Sequence, residues 1–405
     1  MRLLFVVQRY GAPVFGGAEQ CCREYATRMA RRGHDVEVLT SCAVSYVDWA
    51  NIFPPGTSEE GGVTLHRLPV HRPRDDGRFA PLNQRVVYGR KPVPIYLQRT
   101  WMQEQGPYVP EITGWLEERS PSFEAVIFFT YLYHTTWAGL PVASRLAPTL
   151  LHPTAHDEPP LYLTLFDTMF RQPHAFGFLT EEEGALVRRR FGVRQPSAVL
   201  GVGVELDPRG DEQAFRRRFG LEERPYLLFV GRVDPHKGSD ELYGFFTTYK
   251  RRRPGPLALV VLGEPVRPLP AHPDVVMTGF VDETTKQSAL AGTLALVQPS
   301  YFESFSMVLS EAWAWRKPAV VQGECAVLAG QARRSGGALP YRGFAEFEAA
   351  VDLLVGDPPV AAGIGRAGRR HAEERYRWDT VLSRYERQLE HLVGRGSRRP
   401  LQPTR

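Results

Sequence analysis

The sequence is poor in the features that mark membrane spans, disulfide frameworks and metal sites. Its longest apolar runs, such as residues 257–263, are far shorter than the roughly 20 residues that cross a bilayer. The 4 cysteines form no Cys-x-x-Cys pair, which favours reduced thiols in a cytoplasmic protein. The sequence contains no Asp-x-Asp pair and no cluster of His and Cys that could ligate a divalent metal. These absences predict a cytoplasmic protein that works without a metal or a cofactor.

Positive charge is the main bias of the composition. The net charge is +5 and the isoelectric point lies near 9.0, which favours anionic partners. No nucleic-acid partner is expected, because the basic runs lack interleaved aromatic residues and known nucleic-acid-binding motifs. Weak attraction to an anionic membrane, at its inner face, is a further hypothesis. Part of the charge lies in residues 395–405, which predict a disordered basic tail.

The order of predicted elements indicates a doubly wound α/β fold. Residues 2–7 predict a buried strand, followed by a glycine-rich loop, a helix and a second strand at 34–41. The same order begins again with a strand at 226–231. A chain of 405 residues exceeds one ordinary core, so we expect two Rossmann-like domains that face a cleft. Residues 71–95, rich in Arg, Pro and Gly, predict a mobile loop.

One short segment, residues 297–318, combines the groups that a sugar nucleotide needs. It predicts the end of a buried strand, a loop with Glu303 and a helix with Glu311. If the helix begins near Phe305, both carboxylates face one cavity above the strand ends. The helix start also offers backbone N–H groups that have no partner within the helix, those of Ser304, Phe305 and Ser306. The segment therefore predicts acceptors for hydroxyls beside donors for an anion.

A second anion site is predicted where a Gly-Gly pair precedes a helix. At Gly16 and Gly17 the bare backbone can approach a phosphate, and the helix dipole favours negative charge there. The glycines do not follow the Gly-x-Gly-x-x-Gly spacing of a dinucleotide site. A plain tight turn explains this pair equally well when it is taken alone.

Three further residues lie at or just beyond the ends of predicted strands. Arg232 and Lys237 lie on a loop bounded by glycines, and a guanidinium beside an ammonium suits a diphosphate. A diphosphate leaving group without a metal cation needs such protein charge, although a solvated basic loop is the alternative. Residues 148–156 predict a strand with His156 at its C-terminal end, the edge where catalytic groups of open α/β sheets collect. A histidine that merely caps the strand is the alternative there.

These segments together resemble one enzyme family. The sequence is similar to GT-B glycosyltransferases of the large retaining family 4 type in GGAE at 16–19, HDE at 156–158, GRVDPHKG at 231–238 and PSYFESFSMVLSEAWA at 299–314. The last stretch contains the family's Glu-x7-Glu spacing, and the resemblance covers nearly the whole chain. It implies an N-terminal acceptor domain (1–197) and a C-terminal nucleotide-sugar donor domain (198–377). It also implies a terminal helix (378–394) that crosses back to the first domain.

The resemblance implies a role for each residue of the reaction centre. His156 is similar to the histidine beside the donor sugar. Arg232 and Lys237 resemble the pair that neutralises the diphosphate, and Glu303 resembles the carboxylate that faces the sugar hydroxyls. Departure of the diphosphate would be eased by the two cations, and the leaving phosphate oxygen could itself take the acceptor proton.

The remaining implied contacts hold the nucleotide and the phosphates. Glu311 resembles the ligand of the ribose hydroxyls. The Gly16-Gly17 loop resembles the segment whose amides meet the donor phosphates and the acceptor. Gly279, Phe280 and Val281 are similar to the segment that lies against the base. Ser304, Phe305 and Ser306 are similar to the residues that supply backbone donors at the helix start.

The sequence departs from the family pattern twice. After the first glutamate the family often has Gly-Phe-Gly, whereas here Ser304 and Ser306 flank the phenylalanine. Their side chains reduce the room or add hydrogen bonds, so the sugar does not follow from the resemblance. The family's helix commonly ends in Gly, whereas here Arg316 and Lys317 precede Pro318. A non-glycine residue in a left-handed cap costs about 1 kcal/mol.

The resemblance thus implies a metal-independent, retaining hexosyltransferase. It would move a sugar from a nucleoside-diphosphate donor to a carbohydrate, lipid-linked or small-molecule acceptor, in the synthesis of cell-surface polysaccharides or glycoconjugates. One alternative is a catalytically silent GT-B protein that acts as a binding or scaffold subunit of a glycan assembly system. A GT-B sugar-nucleotide epimerase is another. A phosphorylase that uses pyridoxal phosphate would need a Schiff-base lysine, which the sequence does not identify.

Overall fold

The computed structural model describes residues 1–266 and 269–396, with side chains up to residue 394. Two compact α/β units make up these residues. The first comprises residues 1–200 and the described residues from Leu382 onward, and the second comprises residues 201–381. Most of the predicted basic tail, residues 397–405, lies outside the described residues, whereas the last helix runs through Gly396.

The first unit is built on one eight-stranded sheet. Its strands are β1 (Arg2–Val6), β2 (Asp35–Ser41), β3 (Gly56–Glu60), β4 (Val63–Leu68), β5 (Ala125–Phe129), β6 (Thr149–His152), β7 (Ala175–Phe178) and β8 (Ser197–Val199). They lie in the order β3-β4-β2-β1-β5-β6-β7-β8, and all neighbours are parallel except β3 with β4. From β4 to β7 this is the Rossmann order, whose crevice opens where the strand order reverses, between β1 and β5.

Helices connect the parallel strands of the first unit. They are α1 (Gly17–Arg31), α2 (Asp76–Val87), α3 (Ile95–Gln105), α4 (Ile112–Arg119), α5 (His134–Ala143), α6 (Leu165–Met169) and α7 (Glu181–Phe191). Strand β5, AVIFF, is buried along its whole length, as expected of a central parallel strand between two helical layers.

The prediction of a mobile loop over residues 71–95 was wrong, because α2 occupies half of it. The side chain of Asp75 caps this helix by accepting a hydrogen bond from the backbone N–H of Arg78. The guanidinium of Arg74 lies 4.3 Å from the ring of Phe79 in the first turn. The Arg and Pro content led to the wrong prediction, because this helix is stabilised at its first turn by a cap and a cation–π contact and has no long apolar stripe.

The second unit contains a six-stranded parallel sheet. Its strands are β9 (Tyr226–Val230), β10 (Ala258–Leu262), β11 (Val275–Gly279), β12 (Ala295–Gln298), β13 (Ala319–Gln322) and β14 (Ala338–Tyr341). The order β11-β10-β9-β12-β13-β14 is that of the Rossmann fold, with its reversal between β9 and β12. The helices are α8 (Glu212–Arg218), α9 (Ser239–Arg252), α10 (Glu283–Gly292), α11 (Met307–Ala314), α12 (Ala326–Ser335), α13 (Phe344–Gly356) and α14 (Pro358–Arg375). The predicted class of two doubly wound α/β domains is confirmed.

The last helix, α15 (Trp378–Gly396), belongs to the first unit from Leu382 onward. The ring of Tyr385 stacks on Tyr25 of α1 at 4.5 Å and lies 5.5 Å from the ring of His152. Arg384 donates to the backbone carbonyl of Leu200 at 3.0 Å. The prediction that the terminal helix returns to the first domain is therefore confirmed.

Helix α11 ends in a Schellman motif that carries an arginine where glycine is usual. The N–H of Lys317 donates to the carbonyl of Ala312 at 2.9 Å, and the N–H of Arg316 donates to that of Trp313 at 2.8 Å. Arg316 takes a φ of 57°, so the cap keeps its left-handed geometry despite the Cβ. The side chain of Arg316 is exposed and gains little that could offset this strain.

We therefore expect Arg316→Gly to raise the free energy of unfolding by about 1 kcal/mol, because glycine adopts a positive φ without steric cost. Urea denaturation of the purified protein measures this change. Arg316→Ala is the control, since alanine keeps the strain while removing the same charge and side chain. Equal stability of the two variants would contradict the explanation by backbone strain.

Candidate active site

The candidate donor residues gather at the strand-order reversal of the second unit. Strands β9 and β12 are neighbours, and the loops that follow them carry Lys237 and Glu303. The ammonium of Lys237 donates to Oε1 of Glu303 at 2.8 Å. The glutamate side chain is 11% exposed and the lysine 35%, so this ion pair lies at a partly open sheet edge. Two residues separated by 66 positions thus form one cation–carboxylate pair.

One glycine and one aspartate fix the loop that follows β9. A Cβ at Gly238, which has a φ of 71°, would collide with the carbonyl of Pro299 in the loop after β12. Asp234 is buried, and its carboxylate accepts from the backbone N–H of Lys237 at 3.1 Å and pairs with Nε of Arg232. One carboxylate therefore holds the Arg232 guanidinium and the backbone of Lys237, and the loop lies close to the neighbouring loop.

Helix α11 begins at Met307, two residues later than predicted, with Ser306 as its N-cap. Ser306 adopts a φ of 70°, a conformation that favours glycine, which is the residue that the family resemblance led us to expect. Its hydroxyl accepts a hydrogen bond from Nε2 of Gln298 at 2.9 Å inside the core, which offsets part of the strain. Gln331 binds the carbonyl of Phe305 at 2.8 Å. Hydrogen bonds from the buried side chains of Gln298 and Gln331 thus hold the turn 304–306 in place.

Glu311 on α11 contacts a lysine that sequence reasoning missed. Nζ of Lys286 lies 2.8 Å from Oε1 of Glu311 and 3.0 Å from Oε2 of Glu283. Burial lowers the pKa of Lys286, but the two carboxylates outweigh burial and leave it raised. The lysine therefore stays charged and fixes the Glu311 carboxylate at one end of the site. Its spacing of three from Glu283 on a helix was the only signal in the sequence.

The segment predicted to lie against a base forms the irregular end of β11. Gly279 has a φ of 69°, and the register with β10 shifts beside it. The backbone N–H of Phe280 donates to Oε1 of Glu264 at 3.0 Å, and the Phe280 ring is 55% exposed. Val281 follows on the same loop. An exposed ring beside a carboxylate-braced turn offers a flat apolar surface.

The Gly-Gly loop lies at the strand-order reversal of the first unit, after β1. A Cβ at Gly16 would meet the carboxylate of Glu19, so a larger residue here would require that side chain to shift. Glu19 is buried and accepts from Nε of Arg9 at 2.9 Å, and Arg9 also donates to the carbonyl of Val44 at 2.7 Å. Gly17 begins α1 and has open space where its Cβ would lie.

Tyr133, on the loop after β5, is affected by the charges of Arg9 and Glu19, beside the Gly-Gly loop, and by that of Glu158, which contacts His156. Burial raises the pKa of its hydroxyl, and Glu19 and Glu158 raise it further while Arg9 and Arg74 oppose them. Its ring lies edge-on to Trp49 at 5.4 Å. Charged groups near the Gly-Gly loop and near His156 therefore act on the same phenol hydroxyl.

His156 lies four residues beyond the end of β6 and not in the strand. Its Nδ1 is 3.5 Å from Oε1 of Glu158, which accepts the hydroxyl of the buried Tyr131 at 3.0 Å. The histidine is 30% exposed, which leaves part of the ring accessible. A carboxylate held by a buried tyrosine thus orients the imidazole.

The backbone before His156 is fixed by Glu183 of α7. Thr180 and Glu183 form a capping box at the start of this helix, because the Thr180 hydroxyl oxygen accepts from the N–H of Glu183 at 3.2 Å and the Glu183 carboxylate accepts from the backbone N–H of Thr180. The same carboxylate also accepts from the N–H of Leu179 at 2.6 Å and of Ala155 at 2.8 Å. Burial raises the pKa of Glu183 to about 7, although these hydrogen bonds lower it.

The described residues include no group of three or more His, Cys, Asp or Glu that could hold a metal ion. Among the helices of the same residues, none is long and apolar enough to cross a membrane.

Comparison with known proteins assigns the family. The sequence model of the glycosyl transferases group 1 matches residues 211–370, and that of the glycosyl transferase 4-like domain matches residues 16–203. The chain belongs to the group 1 glycosyltransferases with the GT-B fold. The two matches divide at the boundary between the two units, so each unit corresponds to one half of the family's architecture.

Individual relatives are distant. A D-inositol 3-phosphate glycosyltransferase of Streptomyces avermitilis is 31% identical over 229 residues, which cover 50% of this chain and 48% of the relative. The chain thus spans about half the length of the first relatives it matches. A glycogen synthase of Mycobacterium tuberculosis is 26% identical over 99% of this chain and 97% of its own. The Anabaena protein HepE in complex with UDP-glucose has a TM-score of 0.71 at 15% identity, covering 96% and 100% of the two chains.

The titration of Glu183 predicts a pH dependence of stability. Its folded pKa of about 7 lies above the ordinary value of 4.5, so folding favours the protonated form. The stabilising contribution is complete below pH 4.5 and is lost as the pH rises through 7. Between pH 5 and pH 8 we expect a loss of about 2 kcal/mol from this group.

Glu183→Gln should remove that loss, which urea denaturation at the two pH values measures. Glu181→Gln, an exposed glutamate of the same helix turn, should keep it. An identical pH dependence in the native chain and the Glu183→Gln variant would show that the carboxylate does not titrate in this range.

Proposed function

We propose that this group 1 glycosyltransferase is a retaining enzyme that transfers a hexose from a nucleoside-diphosphate donor to an acceptor hydroxyl. The observation that carries the proposal is the Lys237–Glu303 pair at the β9/β12 reversal. In Rossmann-type sheets nucleotides bind in the crevice at this point. A cation for the diphosphate and a carboxylate for sugar hydroxyls stand side by side there.

The protein supplies charge for the leaving group in this account. Lys237 and Arg232 would stabilise the negative charge that develops on the diphosphate, with backbone N–H groups at the start of α11. Asp234 pairs with the guanidinium of Arg232 and accepts from the backbone N–H of Lys237, so it fixes both residues before the substrate arrives. The leaving phosphate oxygen would take the proton of the acceptor hydroxyl, so the bond is made on the face from which the diphosphate leaves. No metal and no cofactor enters this scheme.

Glu303 and Glu311 hold different parts of the donor in this scheme. Glu303 would accept from the sugar hydroxyls, with Lys237 holding its carboxylate in one position. Glu311, fixed by Lys286, would accept from the ribose hydroxyls. The exposed ring of Phe280 offers a surface for the base, and Gly279 and Val281 flank it. The complex of HepE with UDP-glucose supports this class of donor.

The first unit would provide the acceptor side. His156, oriented by Glu158, would stand beside the donor sugar, and the Gly16-Gly17 amides would meet phosphates and acceptor. The proposed setting is cytoplasmic synthesis of cell-surface polysaccharide or glycoconjugate. The relatives include a D-inositol 3-phosphate glycosyltransferase and a glycogen synthase, which supports sugar transfer and leaves the acceptor open.

Lys237→Ala tests the diphosphate role. We expect the rate of nucleoside-diphosphate release with saturating donor and acceptor to fall about 100-fold to 1000-fold, because developing charge loses its counter-ion. His236→Ala, an exposed neighbour on the same turn, is the control and should keep the native rate. Release should persist in excess EDTA. No release by the native protein from any donor would favour a scaffold role, and epimerised donor without release would favour an epimerase.

Glu311→Gln tests the ribose role. Loss of a charge-assisted hydrogen bond should weaken binding of the ribonucleoside diphosphate about 10-fold or more in calorimetry. The 2′,3′-dideoxy analogue should bind the native protein and the variant equally. Glu283→Gln, which removes the other carboxylate on Lys286, is the matched control. Equal weakening of both ligands by Glu311→Gln would count against a ribose contact.

A further inference from the structure

The tip of one helical hairpin in the first unit is unusually basic. Helices α2 and α3 pack against each other, and residues 88–94 join them. From Gly77 to Gln103 the sequence has no Asp or Glu but holds five basic residues, Arg78, Arg85, Arg90, Lys91 and Arg99. Their summed charge is +5, so this stretch of 27 residues is locally cationic.

Three arginines at this tip have no acidic partner among the described residues. Arg85, Arg90 and Arg99 are exposed and form no ion pair there. Lys91 instead folds back, and its Nζ donates to the carbonyls of Val86 at 2.6 Å and Val87 at 3.1 Å. That contact caps α2 and fixes the turn from which the arginines project.

Large apolar side chains are exposed between these arginines. Tyr88 is 52% exposed, Ile95 46% and Tyr96 64%. They are not needed for packing, because the hairpin is already anchored by other residues. Trp101 and Met102 of α3 are buried in the core, and Gln98 binds Thr164 at 2.9 Å. The exposed rings and the isoleucine are thus available to a partner.

We propose that this tip, residues 85–99, docks on the surface of a membrane that contains anionic lipids. Arginines attract anionic headgroups, and tyrosines favour the boundary between headgroups and acyl chains. Ile95 and Tyr96 gain by leaving water for that boundary, whereas a soluble polyanion would engage only the arginines. Where the proposed sugar transfer also holds, this placement favours a lipid-linked acceptor.

Co-sedimentation of the full chain with vesicles tests the docking. One vesicle set mixes phosphatidylglycerol with phosphatidylcholine and the other contains phosphatidylcholine alone. We expect binding to the first set at low salt, and an about 100-fold lower partition for the triple variant Arg85→Gln, Arg90→Gln, Arg99→Gln. Ile95→Ser with Tyr96→Ser should lower the partition at least about 10-fold.

The matched control neutralises three exposed arginines of the second unit, Arg217→Gln, Arg366→Gln and Arg370→Gln, and should bind as the native chain does. Three results would overturn the proposal: no binding of the native chain to anionic vesicles, equal loss in both triple variants, or no effect of the apolar pair. The last result, with strong binding to heparin, would indicate a soluble polyanion. Transfer to a soluble acceptor should be unchanged in the tip variants, so failure of docking and failure of the proposed transfer are separable.

Discussion

The reversal of strand order in each sheet is the constraint on which the candidate site depends. Beside β9 and β12 the connecting helices leave in opposite directions, so the loops that follow these strands border an uncovered crevice. Chain segments 66 residues apart can therefore place Lys237 against Glu303. In the first unit the loops after β1 and β5 have the same relation, and charges of Arg9, Glu19 and Glu158 surround Tyr133 there.

Close backbone approach and buried polar contacts then fix these loops. Gly238 and Gly16 stand where a Cβ would strike Pro299 and Glu19. Ser306 and Arg316 take positive φ values on either side of α11, where the family resemblance implied glycine. A buried hydrogen bond offsets part of the strain at Ser306, whereas the side chain of Arg316 is exposed.

Strands and the order of loops could be predicted from the sequence, because buried parallel strands are continuous apolar runs and motif loops follow them. The bracing groups could not. Lys286, Glu183 and Gln331 contact the site through folding of distant segments, and each is an ordinary residue in its local sequence. Helix α2 was missed because a cap and a cation–π contact, not periodicity, hold its first turn. The second role of Glu183, at Ala155, required the neighbouring strands to be placed first.

The central claim is that the second unit is a nucleoside-diphosphate site formed by protein charge. Thermal unfolding with UDP, GDP, ADP and dTDP, each titrated in the presence of EDTA, tests it most directly. The account predicts that at least one of them raises the melting temperature, by an increment that follows the logarithm of its concentration above Kd and disappears in Lys237→Ala. No shift with any of the four, or a shift abolished by EDTA and unaffected by Lys237→Ala, would contradict it.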